Sequence, residues 1–148
     1  MSERYFDREE AEQLLPMISN ALAEARSQKE KMDLLDRDLA QAAAKIMIMG
    51  GWIPPHRELS EKRTLREQAK ENISQAIGHI QEAGCVVKDV DEGLVDFPSL
   101  RGGQEIYLCW KLGEERIGYW HGMDEGFAGR KPLDDADLDE PQGPESVH

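Results

Sequence analysis

Cysteine, histidine and aromatic residues are all scarce in this chain of 148 residues, which has two Cys, four His and three each of Trp, Tyr and Phe. Two cysteines, Cys85 and Cys109, cannot build a disulfide framework, and in a non-secreted chain the pair is expected to stay reduced. No stretch approaches the roughly 18 apolar residues that a membrane helix needs, so no membrane partner is expected. The opening, MSERYFDREE, is charged where a signal peptide would be apolar, and a cytoplasmic location is therefore expected. Glycine-rich phosphate loops, paired zinc cysteines, HExxH and GxSxG are likewise missing, which removes the nucleotide, zinc-finger, metalloprotease and serine-hydrolase readings that such motifs carry.

Positive charge is also short. Eighteen Lys and Arg face 30 Asp and Glu, a net charge of −12. After Leu133 the sequence DDADLDEPQGPESVH carries six acidic residues and no Lys or Arg, so half of the net charge falls on a segment that cannot form a core. Residues 134–148 are expected to be a disordered acidic tail. In residues 1–133 the basic residues are interspersed with acids. Binding a phosphate backbone needs the opposite, a basic stripe, and nucleic acid is excluded as a partner.

What is present is periodicity. Asp7 and Glu10 have the spacing of a capping box. Apolar or small residues then recur at Ala11, Leu15, Ile18, Leu22, Ala25, Met32, Leu35, Leu39, Ala43 and Ile46, a heptad-like seam in which Lys29 fills one slot. Pro16 should kink this helix, because it cannot donate to the carbonyl of Glu12. Gly50-Gly51 stops it, and Pro54-Pro55 marks a reversal. Ser60 is expected to cap a second helix with a seam of Leu65, Ala69, Ile73, Ala76, Ile80 and Ala83, ended by Gly84. Residues 8–49 would span roughly 60 Å and residues 61–83 roughly 35 Å. The start of the first helix then lacks a helical partner and calls for cover by a sheet or by a second copy. The run Ile46-Met47-Ile48-Met49 at the tip offers a second apolar surface.

Short alternating segments follow. Val86–Val90 reads as a strand, Asp91-Glu92-Gly93 as a turn, and Leu94–Phe97 as a second strand. Pro98 and Gly102-Gly103 interrupt the chain before a third, Gln104–Leu112. There Ile106, Leu108, Trp110 and Leu112 share one face, and Glu105, Tyr107, Cys109 and Lys111 the other. A three-residue turn after Leu112 would set Ile117, Tyr119 and His121 beside Cys109 and Glu105, whereas a two- or four-residue turn would set them beside Trp110 and Leu108. The expected fold class is α+β: a long antiparallel helical hairpin over residues 7–84, then a small antiparallel β-sheet with its loops over 85–133, the two forming one domain of residues 1–133.

Residues 86–132 gather Lys88, Asp89, Asp91, Asp96, Arg101, Glu105, Cys109, His121, Asp124 and Arg130. Asp96 stands in an apolar run before Phe97-Pro98, where a carboxylate must find a partner or shift its pKa. Arg101 and Arg130 are the obvious structural partners. His121 beside Trp120 suits a metal ligand, a general base or a satisfied packing residue. Asp91 belongs to turn chemistry, and Cys109 reads as an inert strand cysteine more readily than as a nucleophile. The candidate site is Asp89, Asp96, Glu105, His121 and Arg130, with Asp96, Glu105 and His121 as candidate ligands for a divalent metal cofactor.

Lys88-Asp89, Gly93-Leu94-Val95-Asp96-Phe97-Pro98, Leu108-Cys109-Trp110, Trp120-His121 and Gly126-Phe127-Ala128-Gly129-Arg130 occur here in order. Together with Phe6 and Glu10–Pro16 they resemble the family called domain of unknown function 2203, over about residues 5–133. The resemblance implies a small prokaryotic protein with a helical hairpin and a short sheet, and it brings no activity.

Two function classes fit the residues. One is a non-enzymatic scaffold or interaction protein that self-associates through its hairpin, most simply as a homodimer. The other is a small-ligand or divalent-metal protein, hydrolytic in its furthest form, with a site around Asp96, Glu105 and His121.

Overall fold

Asp7 starts the helical part as its spacing requires. Its side chain accepts from the backbone N–H of Glu10 at 2.7 Å, and the Glu10 carboxylate accepts from the N–H of Asp7 at 3.1 Å. The structure is a computed structural model that describes residues 4–51, 55–134 and 138. Trp52, Ile53, Pro54 and nearly all of the acidic tail lie outside the described residues.

The kink at Pro16 is a break. Helix α1 covers Arg8–Gln13 and helix α2 covers Leu15–Met49, with Leu14 between them. Pro16 occupies the first turn of α2, where a missing N–H costs nothing, and the N–H of Ile18 returns to the carbonyl of Leu14 at 3.0 Å. Helix α3 covers His56–Glu82 and so begins four residues before the expected cap at Ser60. Pro55 explains the difference, since its carbonyl accepts the N–H of Leu59 at 3.1 Å and a proline just ahead of a helix sacrifices no bond. The seam of α3 shifts accordingly. Leu59 is buried and Leu65, expected inside, is 45% exposed.

Gly84 ends α3 with φ +100. Its N–H reaches Gln81 O at 3.0 Å and the N–H of Cys85 reaches Ile80 O at 3.4 Å, the paired bonds of a Schellman motif.

Five antiparallel strands then pair in chain order: β1 (Val86–Asp89), β2 (Leu94–Arg101), β3 (Gln104–Lys111), β4 (Tyr119–Gly122) and β5 (Lys131–Pro132). Gly93, at φ +71, makes the β1–β2 turn, and a Cβ there would stand 2.6 Å from that of Leu112. Strand β2 does not stop at Pro98 as expected. Pro98 lies opposite Tyr107, and its carbonyl accepts the N–H of Phe6 at 2.7 Å, so its missing N–H faces the N-terminal segment and removes no bond to β3.

By close contact the chain forms two units, residues 23–76 and residues 1–22 with 77–148. In the second unit Phe6, Ala11, Leu15, Ile18 and Leu22 pack with Ile80, Val95, Phe97, Ile106, Leu108, Trp110 and Ile117. The sheet therefore covers the start of the first long helix. In the first unit α2 and α3 pack together, with Ala25, Leu59, Ala69 and Ala76 buried. Polar links join them as well: Lys62 to Asp38 at 3.2 Å, Asn72 to Gln28 at 3.2 Å, and Arg66 to Asp36.

Candidate functional site

Strand alternation places Asp96, Cys109 and His121 on the sheet face opposite the one packed with the helices, since Val95, Phe97, Leu108 and Trp110 belong to the core. Asp96 is paired with Cys109 across β2 and β3, while Tyr107 is paired with His121 and Cys109 with Tyr119 across β3 and β4. This is the register of a three-residue turn. The connection is longer, however, because Lys111 and Glu114 bond to each other and Trp110 Nε1 donates to Glu114 O at 2.9 Å. Pairing ends before Ile117, which turns into the core instead of joining Tyr119 and His121.

One carboxylate oxygen of Asp96, Cys109 Sγ and one ring nitrogen of His121 all lie within 4.8 Å of one another. Only 2% of Asp96, 1% of Cys109 and 2% of His121 is exposed. His121 Nε2 is 3.0 Å from Asp96 Oδ2, and Nδ1 is 2.9 Å from the carbonyl of Gly122. A carbonyl only accepts, so Nδ1 carries hydrogen. The short contact on the other side then requires one proton between Nε2 and Oδ2. Burial pushes the Asp96 carboxyl up, against the pull of His121, Lys88 and Cys109. Burial and then the Asp96 charge push the Cys109 thiol up to about 11, although Arg130 draws it down.

Aromatic and charged side chains neighbour the cluster. Tyr107 stands 5.5 Å from the His121 ring, with Lys88 over it at 5.4 Å. Arg130 lies over Tyr119 at 3.9 Å and over Phe127 at 4.2 Å, pairs with Glu114 at 3.1 Å, and its charge is felt at the Cys109 sulfur.

The expected site is thus partly gathered and partly dispersed. Asp96 and His121 meet, and Arg130 is beside them through Cys109. Glu105 does not join them; its carboxylate accepts from the hydroxyl of Tyr5. Asp89 is exposed and caps the following turn, accepting from Glu92 N at 3.0 Å. The partner of Asp96 is His121, where an arginine was expected; Arg101 lies over Trp120 at 4.8 Å. Cys109, read as inert, takes the place expected of Glu105. Its alternation with Glu105 and Tyr107 was the available signal.

Residues 4–133 match the family whose description is an uncharacterized conserved protein, DUF2203. The chain belongs to the DUF2203 family. No curated protein and no solved structure matches this DUF2203 chain.

Proposed function

We propose that this DUF2203 chain is a non-enzymatic interaction protein that self-associates through the apolar end of its helical hairpin. The carrying observation is the exposure at the end of α2: Ile46 40%, Met47 86%, Ile48 83% and Met49 56%. Successive helical residues are about 100° apart, so these four cover most of the circumference. One antiparallel neighbour hides only a stripe of such a surface. A contiguous apolar patch of this kind favours a protein contact, and methionine adapts to the shape of what it meets. A second copy is the simplest occupant, through a twofold contact of the same patch.

The chemistry of the sheet agrees with a non-enzymatic role. Asp96, Cys109 and His121 are closed off from solvent, and the Cys109 thiol is held far above the range in which it would be a nucleophile at neutral pH.

Sedimentation velocity at micromolar concentration tests the reading. The unmodified chain is expected as a dimer and the double substitution Met47→Lys, Ile48→Glu as a monomer with an unchanged far-ultraviolet circular dichroism spectrum. A monomeric parent, or a variant that associates as the parent does, would remove the proposal.

A further inference from the structure

We propose that Asp96, Cys109 and His121 form a closed structural site for one thiophilic divalent cation of the zinc type. The inference is independent of self-association, because it concerns only strands β2, β3 and β4.

Geometry supports it first. The donors of a tetrahedral zinc ion, bound at about 2.0–2.3 Å, lie about 3.3–3.6 Å apart. Here Nε2 and Oδ2 are 3.0 Å apart, and all three ligand atoms fall within 4.8 Å. On loading, the 3.0 Å contact would widen and the wider separations would close towards that spacing. The bond from Nδ1 to the Gly122 carbonyl fixes the imidazole so that Nε2 faces Asp96, as the outer shell of histidine metal sites commonly does.

The donor set then selects the metal. One thiolate, one imidazole and one carboxylate suit zinc, cobalt or ferrous iron. Calcium would take six to eight oxygens and magnesium an octahedron of them, which a single buried aspartate does not supply. Four donor atoms are reached if the second oxygen of Asp96 joins the three. Charge balances too: aspartate, thiolate and a dication sum to zero around a neutral histidine. Loading releases two protons to solvent, one from the Cys109 thiol and the one shared by Asp96 and His121.

Arg130 fits as an outer group. Its positive charge draws the Cys109 thiol towards the thiolate, and Glu114 at 3.1 Å neutralises it. Burial makes the site structural: the ion would staple three neighbouring strands and leave no room for a substrate.

The test uses the full chain, treated with chelator and reductant and then titrated with Co2+. One equivalent is expected to bind, with a sulfur-to-cobalt charge-transfer band, tetrahedral ligand-field bands and a rise in melting temperature; Zn2+ should displace the cobalt. Cys85→Ser should retain the band and Cys109→Ser should lose it, while His121→Gln should weaken binding about tenfold or more. Absence of the band in the parent chain overturns the proposal whether or not any variant folds. So does a band that survives in Cys109→Ser, or a melting temperature raised equally by Mg2+ or Ca2+.

Discussion

The unit formed by residues 23–76 and the unit that holds the sheet are stabilised in different ways. The first buries mainly alanine, at Ala25, Ala69 and Ala76 with Leu59, and Lys62 and Arg66 occupy seam positions opposite Asp38 and Asp36. The second buries Trp110, Phe6, Phe97 and a set of Ile, Leu and Val side chains. Small side chains remove little apolar area from water and exposed ion pairs contribute little. The helical unit therefore depends on helix propensity and register, whereas the sheet unit depends on close packing. Regular seam spacing in a sequence does not by itself mean an apolar seam.

Three substitutions or conditions would sharpen or break that contrast. The largest effect is expected from Trp110→Ala, which empties a fully buried site and strands the Glu114 carbonyl, at a cost of about 3–5 kcal/mol in denaturant unfolding. A loss like that of a surface substitution would mean that the sheet unit is not held by its core.

An intermediate effect is expected in alkali. Both thiols belong to the sheet unit, and burial pushes Cys85 up to about 12 and Cys109 up to about 11, from 9.0. Between pH 9 and 11 the unfolded chain loses thiol protons that the folded chain keeps. Stability therefore falls as pH rises, by up to about 1.4 kcal/mol per pH unit for each thiol. Unfolding midpoints of chelator-treated protein at pH 8 and pH 10.5 measure it, and the double substitution Cys85→Ala, Cys109→Ala should flatten the slope. An equal slope in that variant would place the titrating groups elsewhere.

The smallest effect is expected from Arg66→Met. Its pair with Asp36 is partly exposed, so the unfolding midpoint should move far less than for Trp110→Ala, and the difference from the parent should vanish in high salt. A large, salt-independent loss would show that the helical unit relies on this pair as the sheet unit relies on its core.

Much of the fold was legible because its signals are local. The Asp7–Glu10 box, the disturbance that Pro16 brings to the first helix, the stop at Gly84 and the turn at Gly93 each depend on bonds spanning only a few residues. Alternation along β3 separated the Trp110 face from the Cys109 face for the same reason. The start of α3 lies ahead of the expected cap at Ser60 because proline forbids a helix only upstream of itself, so Pro55 can lead one.

Sequence by itself therefore determined the elements, their order and the side of each strand on which a residue falls. Which polar groups meet was decided by tertiary structure. Asp96 and His121 are 25 residues apart, and their contact depends on the registers of two successive hairpins, each of which would reverse its facing residues on a one-residue slip. The connection between β3 and β4 is irregular: short-range bonds from Lys111 and Trp110 to Glu114 start it, but its end is fixed at long range, where Ile117 enters the core and donates its N–H to Glu12 at 2.9 Å. Pairing Asp96 with histidine and not arginine, and placing Cys109 where Glu105 was expected, followed from that register alone.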